Sequence, residues 1–567
     1  MNNPDQLTVS QVFAKMMKAY GAEHMFTLTG FPLNVLYHCQ RDEDIQVILG
    51  RSERSVLAIA DGYGRMTGKP AFSHVQTGVG GSSLPPALAE AKWGNSPVMS
   101  ITGSTGTNTR DRLEYQEVDS LPMVRPAAKW AGALPAPDRI CDIMRTAIRT
   151  MLSGVPGPSY LEMPTGVFSA PLTGDADIRT DTDFMRIGDR PLAADAGVIE
   201  CAIKLIAGAK RPLILSGGEV IFRQAWEQLL AFAEALSIPV LTSPSGKGSI
   251  IETHPLSVGQ LGRYGRNVAS TICAEADLVI AIGTTLGAMT TDNFTTPRQG
   301  TKIVHIAIDE MSLGCTYEES LSINADPVSA LEALSDTAAQ DKLDGKGWAD
   351  WTNKVQQQVQ EWRDKFAELA SQTMDDGRIN PIHLISELNQ HIGGDDVVVS
   401  DTGSQTRWSG CMIDAKTPGR NFLRAAGSLG WSFPGAIGAK LAVGKGRRVF
   451  NLTGDGGIGY HATEMETAVR MDIPLISVVM NNAQFQGYSG LLSRGLGYQA
   501  ECPELSNFSD VDFGGVAKAF GAYGERVEDP AEIRPALKRA EESGQPAMID
   551  IAISGNIGAP HGAAGAL

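Results

Sequence analysis

The run Arg448-Val449-Phe450-Asn451-Leu452 has the length and apolar character of a buried strand. It passes through Thr453 straight into Gly454-Asp455-Gly456-Gly457. A helical stretch follows, with Ala462, Met465 and Val469 on one face, and a second strand-like run, Leu475–Met480, ends at Asn481-Asn482. Strand, tight turn, helix and strand make a βαβ unit, which commits the chain to a parallel sheet. Asp455 and Asn482 each follow a strand, so both emerge at the carboxyl edge, where α/β sheets bind ligands. One carboxylate and one amide oxygen suit Mg²⁺ or Ca²⁺, with diphosphate oxygens and water completing the shell. The flanking glycines let backbone N–H groups approach phosphate.

The same alternation extends over most of the 567 residues. Thr8 and Gln11 form a capping box ahead of Val12, Phe13, Met16, Met17 and Tyr20 at helical spacing, and Gly21 stops that helix. Strands are expected at 24–28, 71–76 and 97–102, then at 212–216, 239–242, 277–282 and 302–308. A last group is expected at 397–400, 448–452, 475–480 and 547–551, after a helix running to about Ser371 and a linker at Asp375-Asp376-Gly377. The expected fold class is α/β, with three doubly wound parallel-sheet domains at residues 1–180, 190–335 and 375–567. The first and third could be distant duplicates, which one sequence does not establish.

Lys and Arg total 48 against 64 Asp and Glu, a net charge of −16. That balance argues against nucleic acid or an anionic membrane as partner. The seven cysteines include no CxxC and are odd in number, which disfavours zinc-ribbon and disulfide frameworks. The start, Met1–Gln6, has no signal-peptide character, and no apolar run is long enough to span a membrane. A cytoplasmic protein is expected.

The stretch from Gly454-Asp455-Gly456 through Asn481-Asn482 resembles the signature of thiamine-diphosphate (ThDP) enzymes. Arg51-Ser52-Glu53, followed by Ala60-Asp61-Gly62-Tyr63-Gly64-Arg65 and Met66-Thr67-Gly68-Lys69-Pro70, resembles the glutamate segment of the acetohydroxyacid synthase and benzoylformate decarboxylase group. Thr77-Gly78-Val79-Gly80, then Ser96-Pro97 and Ile101-Thr102-Gly103, resembles that group's next glycine turn and strand. Gly427-Ser428-Leu429-Gly430-Trp431-Ser432-Phe433-Pro434 resembles the benzoylformate decarboxylase form of the cofactor-shaping segment. The resemblance covers nearly the whole chain in the right order. It implies a pyrimidine-binding, a central and a diphosphate-binding domain.

By matching position, the resemblance implies that Glu53 hydrogen-bonds the N1′ atom of the aminopyrimidine, from a poorly solvated site. Leu429 would wedge under the cofactor and hold its two rings in a V. Asp455, Asn482 and the backbone carbonyl of Gln484 would hold Mg²⁺. Gly78, Thr402, Ser404, Gly454, Gly456 and Gly457 would contact the cofactor. On the substrate side, Gly30, Phe31, His74, Tyr115 and Gln116 are the candidates, with His74 as a proton relay and Gln116 near the reacting carbon. In dimeric members the glutamate and the metal site come from different subunits, so a homodimer or homotetramer is implied.

The segment Thr29-Gly30-Phe31-Pro32 lacks the synthase pattern, and Phe31 stands where relatives have a small residue. Gly259–Gly265 and Gly283–Gly287 only partly match the flavin-binding turns of the synthases, so FAD or another nucleotide in the central domain is left open. The expected function is a ThDP- and Mg²⁺-dependent C–C lyase or carboligase acting on a small 2-oxo acid, acetolactate synthase-like. The alternatives are a 2-hydroxyacyl-CoA or diketone-cleaving ThDP lyase and a non-catalytic ThDP-binding relative.

Overall fold

The computed structural model describes residues 6–486, 488 and 502–559. The first helix, Val9–Ala19, starts as its sequence requires. Thr8 Oγ1 accepts the Gln11 N–H, the Gln11 side chain accepts the Thr8 N–H, and Val12, Phe13, Met16 and Met17 are buried.

Three six-stranded parallel sheets follow in chain order. The first holds β1 (His24–Thr27), β2 (Gln46–Leu49), β3 (Ala71–Val75), β4 (Val98–Ser104), β5 (Trp130–Ala133) and β6 (Ser159–Pro164), in the order β2-β1-β3-β4-β6-β5. The second holds β7 (Pro212–Ser216), β8 (Val240–Thr242), β9 (Ser257–Gln260), β10 (Leu278–Ile282), β11 (Lys302–Ala307) and β12 (Leu321–Asn324), in the order β12-β11-β10-β7-β8-β9. The third holds β13 (Val397–Ser400), β14 (Phe422–Arg424), β15 (Val449–Gly454), β16 (Ile476–Asn481), β17 (Tyr523–Val527) and β18 (Ala547–Ala552), in the order β14-β13-β15-β16-β18-β17. All interior strands are paired on both sides, and their near-continuous apolar runs match burial between helix layers. β15 reaches Gly454 because its pairing with β16 continues to Gly454 opposite Met480.

The first and third units share one core. Helix Glu53–Thr67 of the first packs along helix Ser432–Val443 of the third, and both contribute to a single apolar cluster with Val56, Ile59, Ala436 and Ile437. The crossing is close enough to demand glycine. A Cβ on Gly62 would stand 2.1 Å from the Gly435 carbonyl oxygen, and one on Gly438 would stand 1.9 Å from that of Ile59. Among the described residues, no helix is long and apolar enough to cross a membrane.

Candidate active site

In the third sheet the strand order reverses between β13 and β15, and the crevice outside their carboxyl ends is where such sheets place ligands. A cavity of about 390 Å³ opens there. Thr402 and Ser404 line it from the turn after β13, and Gly454, Asp455, Gly456 and Gly457 from the turn after β15. Asn482 and Gln484 line it from beyond β16, and Gly427 and Leu429 from the segment after β14. Thus every cofactor or metal candidate named in the third unit lines one cavity.

Asp401, beside that group, does not line the cavity; it ties the walls together. Its Oδ1 accepts the Thr402 and Gly430 N–H groups at 2.7 and 3.0 Å, and its Oδ2 accepts the Ser432 and Thr453 hydroxyls at 3.0 Å each. Burial pushes its carboxyl up to about 6, against the pull of these donors.

The donor set fits a divalent cation and a diphosphate. Asp455 Oδ2 accepts the Gln484 N–H at 2.9 Å, so the turn after β15 and the segment after β16 already meet at this carboxylate. Burial pushes the Asp455 carboxyl up to about 6, and the carboxylate has no ion pair among the described residues. A bound cation would supply the missing countercharge. Among the described residues no group of three His, Cys, Asp or Glu side chains forms a metal cluster, so the oxygens of Asp455, Asn482 and Gln484 are the donors on offer. The Phe485 ring packs against the turn, and a Cβ on Gly456 would fall 2.2 Å from it. The turn therefore presents backbone rather than side chain to the cavity.

Gly30, Phe31, Gly78 and Gln116 of the first unit gather elsewhere, at the corresponding reversal between β1 and β3. Gln76, which follows β3, bridges them. Its Oε1 accepts the Phe31 N–H at 2.6 Å and its Nε2 donates to Gln116 Oε1 at 2.7 Å. Gly30 packs on Gln76, and Gly78 has φ +62° with no room for a Cβ beside the Gln116 carbonyl oxygen, 1.8 Å away. Phe31 and Tyr115 are exposed, at 57% and 85%. None of these residues lines the third-unit cavity of the same chain.

His74 departs from its expected role as a relay. It is fully buried in β3, its Nδ1 lies 2.9 Å from Thr27 Oγ1, and burial pushes it down to about 3. A neutral, sealed imidazole is a poor proton carrier.

Glu53 is the first residue of its helix, where a negative charge is favoured. It is half-buried, and its carboxylate accepts no hydrogen bond from a described residue. The helix start is pinned from the third unit. Glu464 accepts the Arg51 N–H at 2.7 Å and the Ser55 hydroxyl at 2.5 Å. The sequence offered no sign of this contact, nor of Arg263 and Tyr264 of the central unit and Arg407 on the cavity wall.

These observations can be set beside known proteins. Three family models match in order: the N-terminal TPP binding domain of thiamine pyrophosphate enzymes at residues 7–123, the central domain at 199–334 and the C-terminal TPP binding domain at 401–551. The probable acetolactate synthase large subunit of Methanococcus aeolicus is 30% identical over 565 residues, covering 95% of this chain and 91% of that protein. The chain belongs to the thiamine pyrophosphate enzyme family. The sulfoacetaldehyde acetyltransferase of Castellaniella defragrans is 28% identical, over 94% of this chain and 90% of that one. Acetolactate synthase isozyme 3 large subunit of Escherichia coli is 25% identical, over 97% and 96%. The three sheets are the N-terminal, central and C-terminal domains of this family, and thiamine diphosphate is the family's cofactor.

Proposed function

We propose that the chain is a ThDP- and Mg²⁺-dependent carboligase or lyase acting on a small 2-oxo acid, with acetolactate synthase-like chemistry. The observation that carries this reading is the cavity at the β13–β15 reversal, which gathers Asp455, Asn482, Gln484, the glycine turn and Leu429. The proposed domain boundaries are those expected above. When bound, the cofactor supplies a carbon nucleophile and an electron sink for cleavage beside a carbonyl.

This chain's residues bind and orient. Asp455, Asn482 and the Gln484 carbonyl hold Mg²⁺, while Thr402, Ser404 and the backbone of Gly454–Gly457 receive the diphosphate. Leu429 fixes the angle between the rings. Glu53 holds a proton at the pyrimidine N1′, and because it does not reach the cavity of its own chain, a second copy supplies it. Gln116, held by Gln76, presents its amide to the substrate beside Phe31 and Tyr115. His74 is given a packing role.

A second reading is acyl transfer to phosphate from a 2-sulfonated aldehyde, in which sulfite leaves with the C–S electron pair and no oxidant is needed. Arg263 and Arg407 line the cavity without an ion pair among the described residues, and Arg407 Nε is buried without a hydrogen-bond partner. The deciding experiment supplies Mg²⁺ and ThDP with a panel of 2-oxo acids and diketones, and separately with a 2-sulfonated aldehyde plus phosphate. Carbon dioxide, acyloins and acyl phosphates are followed together. Turnover abolished by chelation supports the first reading. Turnover only of the sulfonated aldehyde with phosphate, releasing sulfite and acyl phosphate, selects the second, and none with any member rejects both.

A further inference from the structure

Leu429 sits in a segment without helix or strand, between the end of β14 at Arg424 and the helix that begins at Ser432. A segment that shapes a cofactor must be held in place by its surroundings. Its second half is held within the third unit, where Gly430 N–H and the Ser432 hydroxyl donate to Asp401. Its first half is held by the first unit. Glu90, on helix Pro85–Trp93, is 4% exposed. Its Oε1 accepts the Ala426 N–H at 2.5 Å, and its Oε2 accepts the Gly427 and Ser428 N–H groups at 2.9 and 2.8 Å. Three consecutive backbone donors thus converge on one carboxylate, each bond charge-assisted.

Arg65 pairs with this carboxylate and with a second one. Its Nη2 lies 3.2 Å from Glu90 Oε1, and it makes two bonds of 2.7 Å to Asp61. Asp61 in turn accepts Trp431 Nε1–H at 2.8 Å, and the guanidinium stands 4.3 Å from the Trp431 ring. The flanks of Leu429 are therefore fixed on one side by Asp401 and on the other by a buried charge cluster reaching across the domain boundary.

We propose that Glu90 is a positioning residue for the cofactor, acting through Gly427 and Leu429. The inference rests on the ThDP reading above. A glutamine at this site would offer one acceptor oxygen and turn an NH₂ group toward the converging N–H donors, so the segment would shift while the helix still packed.

The test is the rate at which the C2 proton of enzyme-bound ThDP exchanges with deuterium, read by quenched proton NMR. It compares wild type, Glu90→Gln, Glu90→Asp and Leu88→Ala. Misplacing the rings slows exchange, so Glu90→Gln is expected to exchange about tenfold or more slowly, with kcat falling in step and KM nearly unchanged. Leu88→Ala truncates the core of the same helix; it should lower the melting temperature and leave exchange near wild type. Exchange by Glu90→Gln within about twofold of wild type overturns the inference, as does equal slowing by Leu88→Ala. If Glu90→Gln does not fold, Glu90→Asp, which keeps the charge beside Arg65, is judged by the same criterion. A wild type that binds no ThDP rejects the functional reading itself, and this inference with it.

Discussion

The first and third sheets share one strand order, and each gathers its candidate residues where that order reverses. At the third reversal stand a carboxylate, an amide and a run of glycines, open to a cavity. At the first, an amide pair, Gln76 and Gln116, ties the turns together, and no carboxylate joins them. The central sheet has a different order, and its turns close on each other, with a Cβ on Gly217 falling 2.0 Å from the Gly283 oxygen. One scaffold thus carries different chemistry according to the few residues after its strands. It also leaves the acid of the first unit, Glu53, away from the cavity of the third.

Removing the third unit's carboxylate should do the most damage. Asp455→Ala is expected to abolish Mg²⁺-dependent ThDP binding in calorimetry and to lower turnover by about 10³-fold or more. Bound cofactor with normal affinity would move the metal elsewhere. Glu53→Gln sharpens the contrast: turnover should fall by about 10²–10⁴-fold while ThDP still binds, since the variant loses proton handling and keeps the diphosphate site. Equal loss of binding would place Glu53 in the third unit's cradle instead.

The packing between the two units can be strained directly. Gly438→Ala pushes a methyl toward the Ile59 carbonyl and should cost about 1–3 kcal/mol in urea denaturation. An unchanged midpoint would mean that the helices can part freely. The smallest effect concerns pH. Burial alone would raise the Asp414 carboxyl, but Arg266, Arg363 and Asn389 more than reverse this and hold it well below the usual range. A depressed carboxyl stabilises the fold above its unfolded pKa, near ~4, and loses that contribution as pH falls further. Acid titration of Asp414→Asn should therefore lose less stability below that pH than wild type does.

Much of this was legible in the chain because it is local. The Thr8–Gln11 box, the β15 turn and the interior strands β7, β10, β13 and β16 are written in contiguous residues. The edge strands β2, β5, β9, β12, β14 and β17 were not anticipated. β2 and β12 fully bury one residue in four and β5 none, so these strands lack a continuous buried run. Interior β6 was missed as well; it carries the buried polar residues Ser159 and Glu162. The cavity turns were readable as motifs. Glu90, Glu464, Arg263 and Arg407 were not, because each matters through a contact with residues far away in sequence. The burial of His74 was likewise not legible, because its position in the chain says nothing of the seal around it.

The central claim is that the first unit of one copy completes the third unit of another. Coexpressed Glu53→Gln and Asp455→Ala chains test it, since a hybrid dimer holds one site with both defects and one with neither. Each variant alone should be inactive, and the mixture should recover about one quarter of wild-type activity, because random pairing makes half the dimers hybrids with one intact site in two. A mixture no more active than its parts would contradict the account.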